Sequence, residues 1–328
     1  MTTKSPSVFF SLLFSSVLFL AITYSNYLLG NSPMQATHSI LVETDAHEGL
    51  VYVPSQKRLY FTSVPDLEIE NPQISIRYYD FITGEVVTWK HRSNMANSMW
   101  LSNDGEHLLV AEQGKGAIPG AISRISLSDG QREVFVDAYK GKPFNSPNKV
   151  VQSPSGWIYF TDPDYGYNQG FKPEPMLTPA VYAFDPSTKM LIRLSAEYMM
   201  PHGLAISPMG NQIYIGDTAA IDGKNPYNPK KTKDIYVSSL LTPEKLEEKQ
   251  WVLSVPVGIP DGFIVTGPKN DLWVAAGDGL RHYRENGSLV NLYPVPGGVY
   301  SVATDGKAIY SSSNTAIWKT IPRGEEGG

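Results

Sequence analysis

The chain contains no cysteine among its 328 residues. That absence excludes disulfides, thiolate-held metals and a cysteine nucleophile. Charge is scarce as well: 18% of residues are charged, and the formal net charge is −5. A nucleic-acid surface needs a basic face, so no nucleic-acid partner is expected. Stretches with a helical period are few, and only Pro243–Lys249 is expected to form one short helical turn. There is no Gly-x-Ser-x-Gly nucleophile elbow. Gly277-Asp278-Gly279 follows a strand pattern without opening a helix, so no phosphate-binding loop is expected. What the sequence does have is glycine (28), proline (25) and tyrosine (19), the composition of many short strands joined by turns.

One long apolar run stands apart. It covers Val8–Ile22 and continues more weakly to Leu29. Its first part has the length of a signal-peptide core. Taken to Leu29 it reaches the roughly 20 residues needed to cross a bilayer. The expectation is a signal or single-pass anchor with a linker over residues 1–36 and a folded domain over 37–328, with membrane anchoring through residues 8–29 and the secretory pathway as destination. Asn286-Gly287-Ser288 is then an acceptor sequon in a turn setting, making Asn286 a candidate glycosylation site.

The folded part repeats. Polar residues Glu48, Asn97, Asn148, His202 and Asp261 each open an apolar strand, followed by a turn and a strand rich in aromatic and β-branched residues. The spacings are 97−48 = 49, 148−97 = 51, 202−148 = 54 and 261−202 = 59. A weaker copy covers Gly298–Tyr310. Six units at this period, with about four strands each, predict an all-β fold, a six-bladed β-propeller. A strand near Thr37–Thr44 is expected to close the ring against Ala316–Ile321. The stretches Tyr165–Thr178 and Ala219–Lys233 read as long loops, which are more often functional rims than linkers.

The pattern resembles the senescence marker protein/gluconolactonase family of six-bladed propellers, which includes diisopropyl fluorophosphatase. Glu48-Gly49-Leu50, the run Asn145–Pro163 and Pro260-Asp261-Gly262 carry the resemblance, which spans Ala46–Tyr310. It implies one divalent cation of calcium type in the central tunnel, held by Glu48, Asn148 and Asp261. Asp261 is also implied as a catalytic base or nucleophile, and Asn97 as a contact to substrate or metal. The chain departs from the family at His202, where asparagine is usual. Imidazole suits softer ions such as zinc, whereas Ca²⁺ takes oxygen donors.

The resemblance implies hydrolysis of a small-molecule lactone or ester. An ion with an open position polarises the carbonyl, and Asp261 activates water or attacks. His202 is a second catalytic candidate, since its ordinary pKa lies near the working pH. Trp100 and Tyr165 are candidate substrate-lining residues, and Tyr300 is a further one. His47, on a strand beside Glu48, is expected to face the opposite side. Asp162, Asp217 and Glu112 end inner-strand patterns and are expected to hold adjacent blades through backbone hydrogen bonds. Two other functions fit the same fold. One is a metal-free cyclase of natural-product biosynthesis; the other is a binding propeller without catalysis.

Overall fold

Alternating apolar and polar side chains give strands with one buried face, and such strands must pair and stack to hide it. The computed structural model describes residues 36–67, 72–195 and 197–322. The apolar N-terminal segment, with its expected signal or anchor role, lies outside them. The described residues form six antiparallel sheets arranged as blades, and a two-stranded hairpin, Ala138–Tyr139 with Lys142–Pro143, between the second and third. Blade 1 comprises Val51–Val53, Arg58–Thr62, Ile76–Asp80 and Val86–Lys90. Blade 2 comprises Ala96–Leu101, His107–Glu112, Ala121–Ser126 and Arg132–Val136. Blade 3 comprises Val150–Gln152, Ile158–Asp162, Ala180–Asp185 and Met190–Ser195. Blade 4 holds Pro201–Ile206, Gln212–Asp217, Asp234–Thr242 and Gln250–Ser254, with the short strand Lys245–Leu246 added to its third member. Blade 5 comprises Phe263–Thr266, Asp271–Ala276, Gly279–Tyr283 and Leu289–Pro294.

Blade 6 closes the ring. Ser301–Thr304, Ile309–Ser312 and Ala316–Ile321 come from the end of the chain, and Thr37–Glu43 comes from near its start. Thr37 pairs with Ile321 and Glu43 with Ala316. This is the closure expected from the sequence.

Packing follows the ring. One buried cluster joins blades 3 and 4 through Tyr159, Val181, Leu204 and Ile215. Another joins blades 6 and 1 through Leu59, Phe61, Tyr310 and Ile317. The first hairpin of a blade turns the same way in blades 2, 3 and 4. Gly105, Gly156 and Gly210 donate their N–H to the carbonyls of Ser102, Ser153 and Ser207 at 2.8, 2.9 and 2.8 Å. All three glycines have positive φ, which glycine adopts without steric cost.

Two local expectations change. Pro243–Lys249 is not a helical turn but the tip of a hairpin, in which Thr242 pairs with Lys245. Leu240 and Leu246 pack there against the cluster of blades 3 and 4, and that burial outweighs the helix-forming composition. The helix among the described residues is Tyr165–Asn168, at the start of a stretch read as loop.

Candidate active site

The repeat brings its polar residues to one place. Glu48, Asn97, Asn148, His202 and Asp261 line a single cavity of about 350 Å³, together with His47, Gln113, Tyr165 and Tyr300. Glycine follows three of them, and the reason is contact between neighbouring inner strands. A Cβ on Gly49 would lie 2.8 Å from the Asn97 carbonyl oxygen, one on Gly203 2.5 Å from that of Asp261, and one on Gly262 2.7 Å from that of Tyr300. The inner strands therefore converge closely enough for side chains from different blades to meet.

Glu48, His202 and Asp261 form the centre. One ligand-capable atom from each lies within 4.8 Å of the others. His202 Nδ1 is 3.5 Å from Asp261 Oδ1. The ring of Tyr165 stands edge-on to that of His202, with centroids 5.3 Å apart, and its hydroxyl is held by Thr218 Oγ1 at 2.8 Å. Four buried polar atoms around this centre have no hydrogen-bond partner: Asn97 Oδ1, Asn148 Oδ1, His202 Nδ1 and Asp261 Oδ1. Buried polar atoms are normally paired, so a set of four facing one cavity marks a place for a ligand.

Lys149 is the residue that sequence reasoning missed. Its ammonium donates to Glu48 Oε2 and lies 3.8 Å from Asp261 Oδ1. Its side chain is 8% exposed and that of Glu48 3%, so the pair is shielded from water. The charges respond. Burial opposes ionisation of Glu48, but the Lys149 charge leads the effects that outweigh it and lower the carboxyl. Burial, and then repulsion from Glu48, hold the Asp261 carboxyl well above its usual range. Burial, aided by the Lys149 charge, takes His202 down to about 3, so the imidazole is neutral at neutral pH.

The other sequence candidates fall as follows. Trp100 does not line this cavity; it lines a second one of about 280 Å³, whose walls include Leu50, Lys149, Gly262 and Phe263. It follows the polar residue Asn97 by three positions, which carries it down the strand to the other end of the tunnel. His47 lines the same cavity as Glu48, because the two precede the first strand of blade 1 and strand alternation does not apply. Its Nδ1 is 2.8 Å from Asn314 Oδ1, and its ring packs on Tyr300. Asp162 and Asp217 are structural as expected. Asp162 accepts from the backbone N–H of Asn145 and Ser146 at 3.0 and 2.8 Å, and Asp217 from those of Met199 and Met200 at 3.1 and 3.0 Å. Glu112 differs, since its partners are the side chains of Ser123, Asn94 and Arg132. Asn286 sits exposed in the turn between Gly279–Tyr283 and Leu289–Pro294.

Residues 46–309 match the family model described as the SMP-30/gluconolactonase/LRE-like region. The chain belongs to that family. It is 27% identical over 277 residues to a gluconolactonase of Zymomonas mobilis, covering 80% of this chain and 68% of the relative. It is 27% identical over 262 residues to the lactonohydrolase oryL of Aspergillus oryzae, covering 73% of this chain and 58% of that longer relative. Among solved structures, a gluconolactonase from Xanthomonas campestris superposes with a TM-score of 0.73 at 24% identity, over 87% of this chain and 89% of the other. A calcium-binding regucalcin from Agrobacterium tumefaciens superposes with a TM-score of 0.64 at 14% identity, over 87% and 92%. These structural likenesses establish the six-bladed fold. The family and its lactone-hydrolysing relatives support lactonase activity and a small-molecule substrate.

Proposed function

We propose that this chain hydrolyses a small-molecule lactone or related ester in the cavity lined by Glu48, Asn97, Asn148, His202 and Asp261. The observation that carries this reading is the convergence of two carboxylates, two amides and an imidazole on one cavity, four of their atoms buried and unpaired. In the reaction a water oxygen bonds to the carbonyl carbon, the ring C–O bond breaks, and one proton passes from the water to the departing ring oxygen. Asp261 is the group to move that proton. Its raised carboxyl is a stronger base when ionised than an ordinary carboxylate, and a ready donor when protonated. The neutral imidazole of His202 has an unpartnered Nδ1 beside it, suited to orienting the water. The amides of Asn97 and Asn148 position the substrate, and Tyr165 covers the imidazole.

The unpaired oxygens and imidazole nitrogen also suit a divalent ion. Glu48, once released from the Lys149 ammonium, would hold it together with Asn148 and Asp261; the oxygen-rich set favours calcium, while His202 admits zinc. When bound, such an ion would polarise the substrate carbonyl. Action within the secretory pathway, on a secondary metabolite, is part of the same reading.

The test is a panel of five- and six-membered lactones given to the full-length chain, with hydroxy-acid release followed by chromatography. Asp261→Asn should lower kcat by about a hundredfold or more, the scale of general acid–base catalysis, without loss of the folded spectrum. Absence of ring opening by the unaltered chain, or full activity in the variant, would overturn the proposal. Metal-free cyclisation is favoured by one observation, the cation that Lys149 already places on Glu48. Conversion of an unsaturated substrate with no water incorporated would identify that reading.

A further inference from the structure

The five polar residues of the tunnel are followed by Gly49, Ser98, Lys149, Gly203 and Gly262. At this position three blades place no side chain and one a hydroxyl; Ser98 Oγ accepts from the Val150 N–H at 2.9 Å. Only blade 3 sends a long charged side chain inward. Lys149 lines the second cavity, and its ammonium reaches Glu48, which lines the first. It therefore stands in the partition between the two cavities, beneath the cluster of Glu48, His202 and Asp261. The backbone of Gly262 runs alongside: a Cβ there would be in ordinary contact with Nζ, 3.6 Å away.

We propose that the Lys149 ammonium is the resident cation of this site, and that a divalent ion engages the Glu48 and Asp261 carboxylates only by displacing it. Two observations and one physical argument support this. Glu48 already has a buried cationic partner. The same ammonium lies 3.8 Å from the second carboxylate. A divalent ion seated within the cluster would be a few ångströms from a charge of the same sign in a water-poor interior, where repulsion is strong. The inference concerns cation binding alone and does not depend on which reaction the cavity carries out.

Removing the ammonium should therefore convert the cluster from a salt bridge into a metal site. The experiment is calorimetric titration of CaCl₂ and ZnCl₂ into the purified full-length chain and its Lys149→Met variant, with thermal unfolding of both in chelator and in excess ion. The expected result is binding to the variant at least about thirtyfold tighter than to the unaltered chain, the scale of repulsion between nearby like charges. The variant should also melt lower than the unaltered chain in chelator and regain that loss when the ion is added, because Glu48 then recovers a cation. The unaltered chain should melt at the same temperature in both. Equal affinity in the two proteins, tight or weak, overturns the proposal. So does a chelator-sensitive melting temperature in the unaltered chain. Lys149→Thr, which leaves a shorter neutral side chain in the same slot, replaces the methionine variant if that fails to fold. If neither variant folds, micromolar binding by the unaltered chain overturns the proposal.

Discussion

Gly203 has no room for a side chain, because the Asp261 carbonyl oxygen and the Phe263 ring stand where a Cβ would go, at 2.5 and 2.3 Å. Gly203→Ala should therefore cost about 1–3 kcal/mol, the usual range for overpacking, measured by urea unfolding. Because the clash falls on Asp261, hydrolysis should drop as well. Asp162 offers a second test at this scale. Burial takes its carboxyl from an ordinary 3.8 to about 7, against the pull of the Asn145 and Ser146 N–H groups and the charge of Lys172. Between those two values the folded chain keeps a proton that the unfolded chain releases. Stability from this group is thus full below about 4 and is lost as pH rises toward 7. Asp162→Asn should flatten that part of a stability-versus-pH curve from chemical denaturation. At this scale the sequence shows Glu48, Asn148, His202 and Asp261, because each occupies one phase of a visible repeat. It does not show Lys149. A lysine beside an asparagine reads as a solvated residue until the neighbouring blades reveal that its position is closed to water.

The repeated Ser-x-x-Gly turn makes the inner hairpins legible at the level of elements. Serine supplies the carbonyl that accepts the glycine N–H, and glycine supplies the positive φ: 73° at Gly105, 92° at Gly156 and 73° at Gly210. Gly156→Ala forces an ordinary residue into that conformation. It should cost on the order of 1–2 kcal/mol in a melting or denaturant experiment, while leaving activity per folded molecule unchanged, since the space there is open. The hairpin tip at Pro243–Lys249 could not be read from the chain. Its glutamates and lysines suit a helix, and only the packing of Leu240 and Leu246 against the blade 3–4 cluster shows why strand geometry prevails. The short helix Tyr165–Asn168 escaped for the converse reason. It is a single turn with no side-chain cap, and Tyr165 is fixed by partners far along the chain, Thr218 and Ile221.

A closed ring distributes its stability over shared interfaces, so damage at one of them concerns two blades. Ile317 is fully buried between the last blade and the first. Ile317→Ala should cost about 2–5 kcal/mol by calorimetry, yet unfolding should remain one transition, because no blade has a core of its own. The number of blades and the pairing that closes them were both readable, the first from the spacing of polar residues and the second from the strand left over at each end. That same pairing imposes an order on biosynthesis. Thr37 must wait for Ile321, 321 − 37 = 284 residues later, before its hydrogen bonds exist. Until then the nascent chain holds an unpaired edge, and contacts this distant in sequence form slowly. A chain ending before residue 316 would carry five complete blades and no ring, a state in which Thr37–Glu43 is still free to pair with a neighbouring chain.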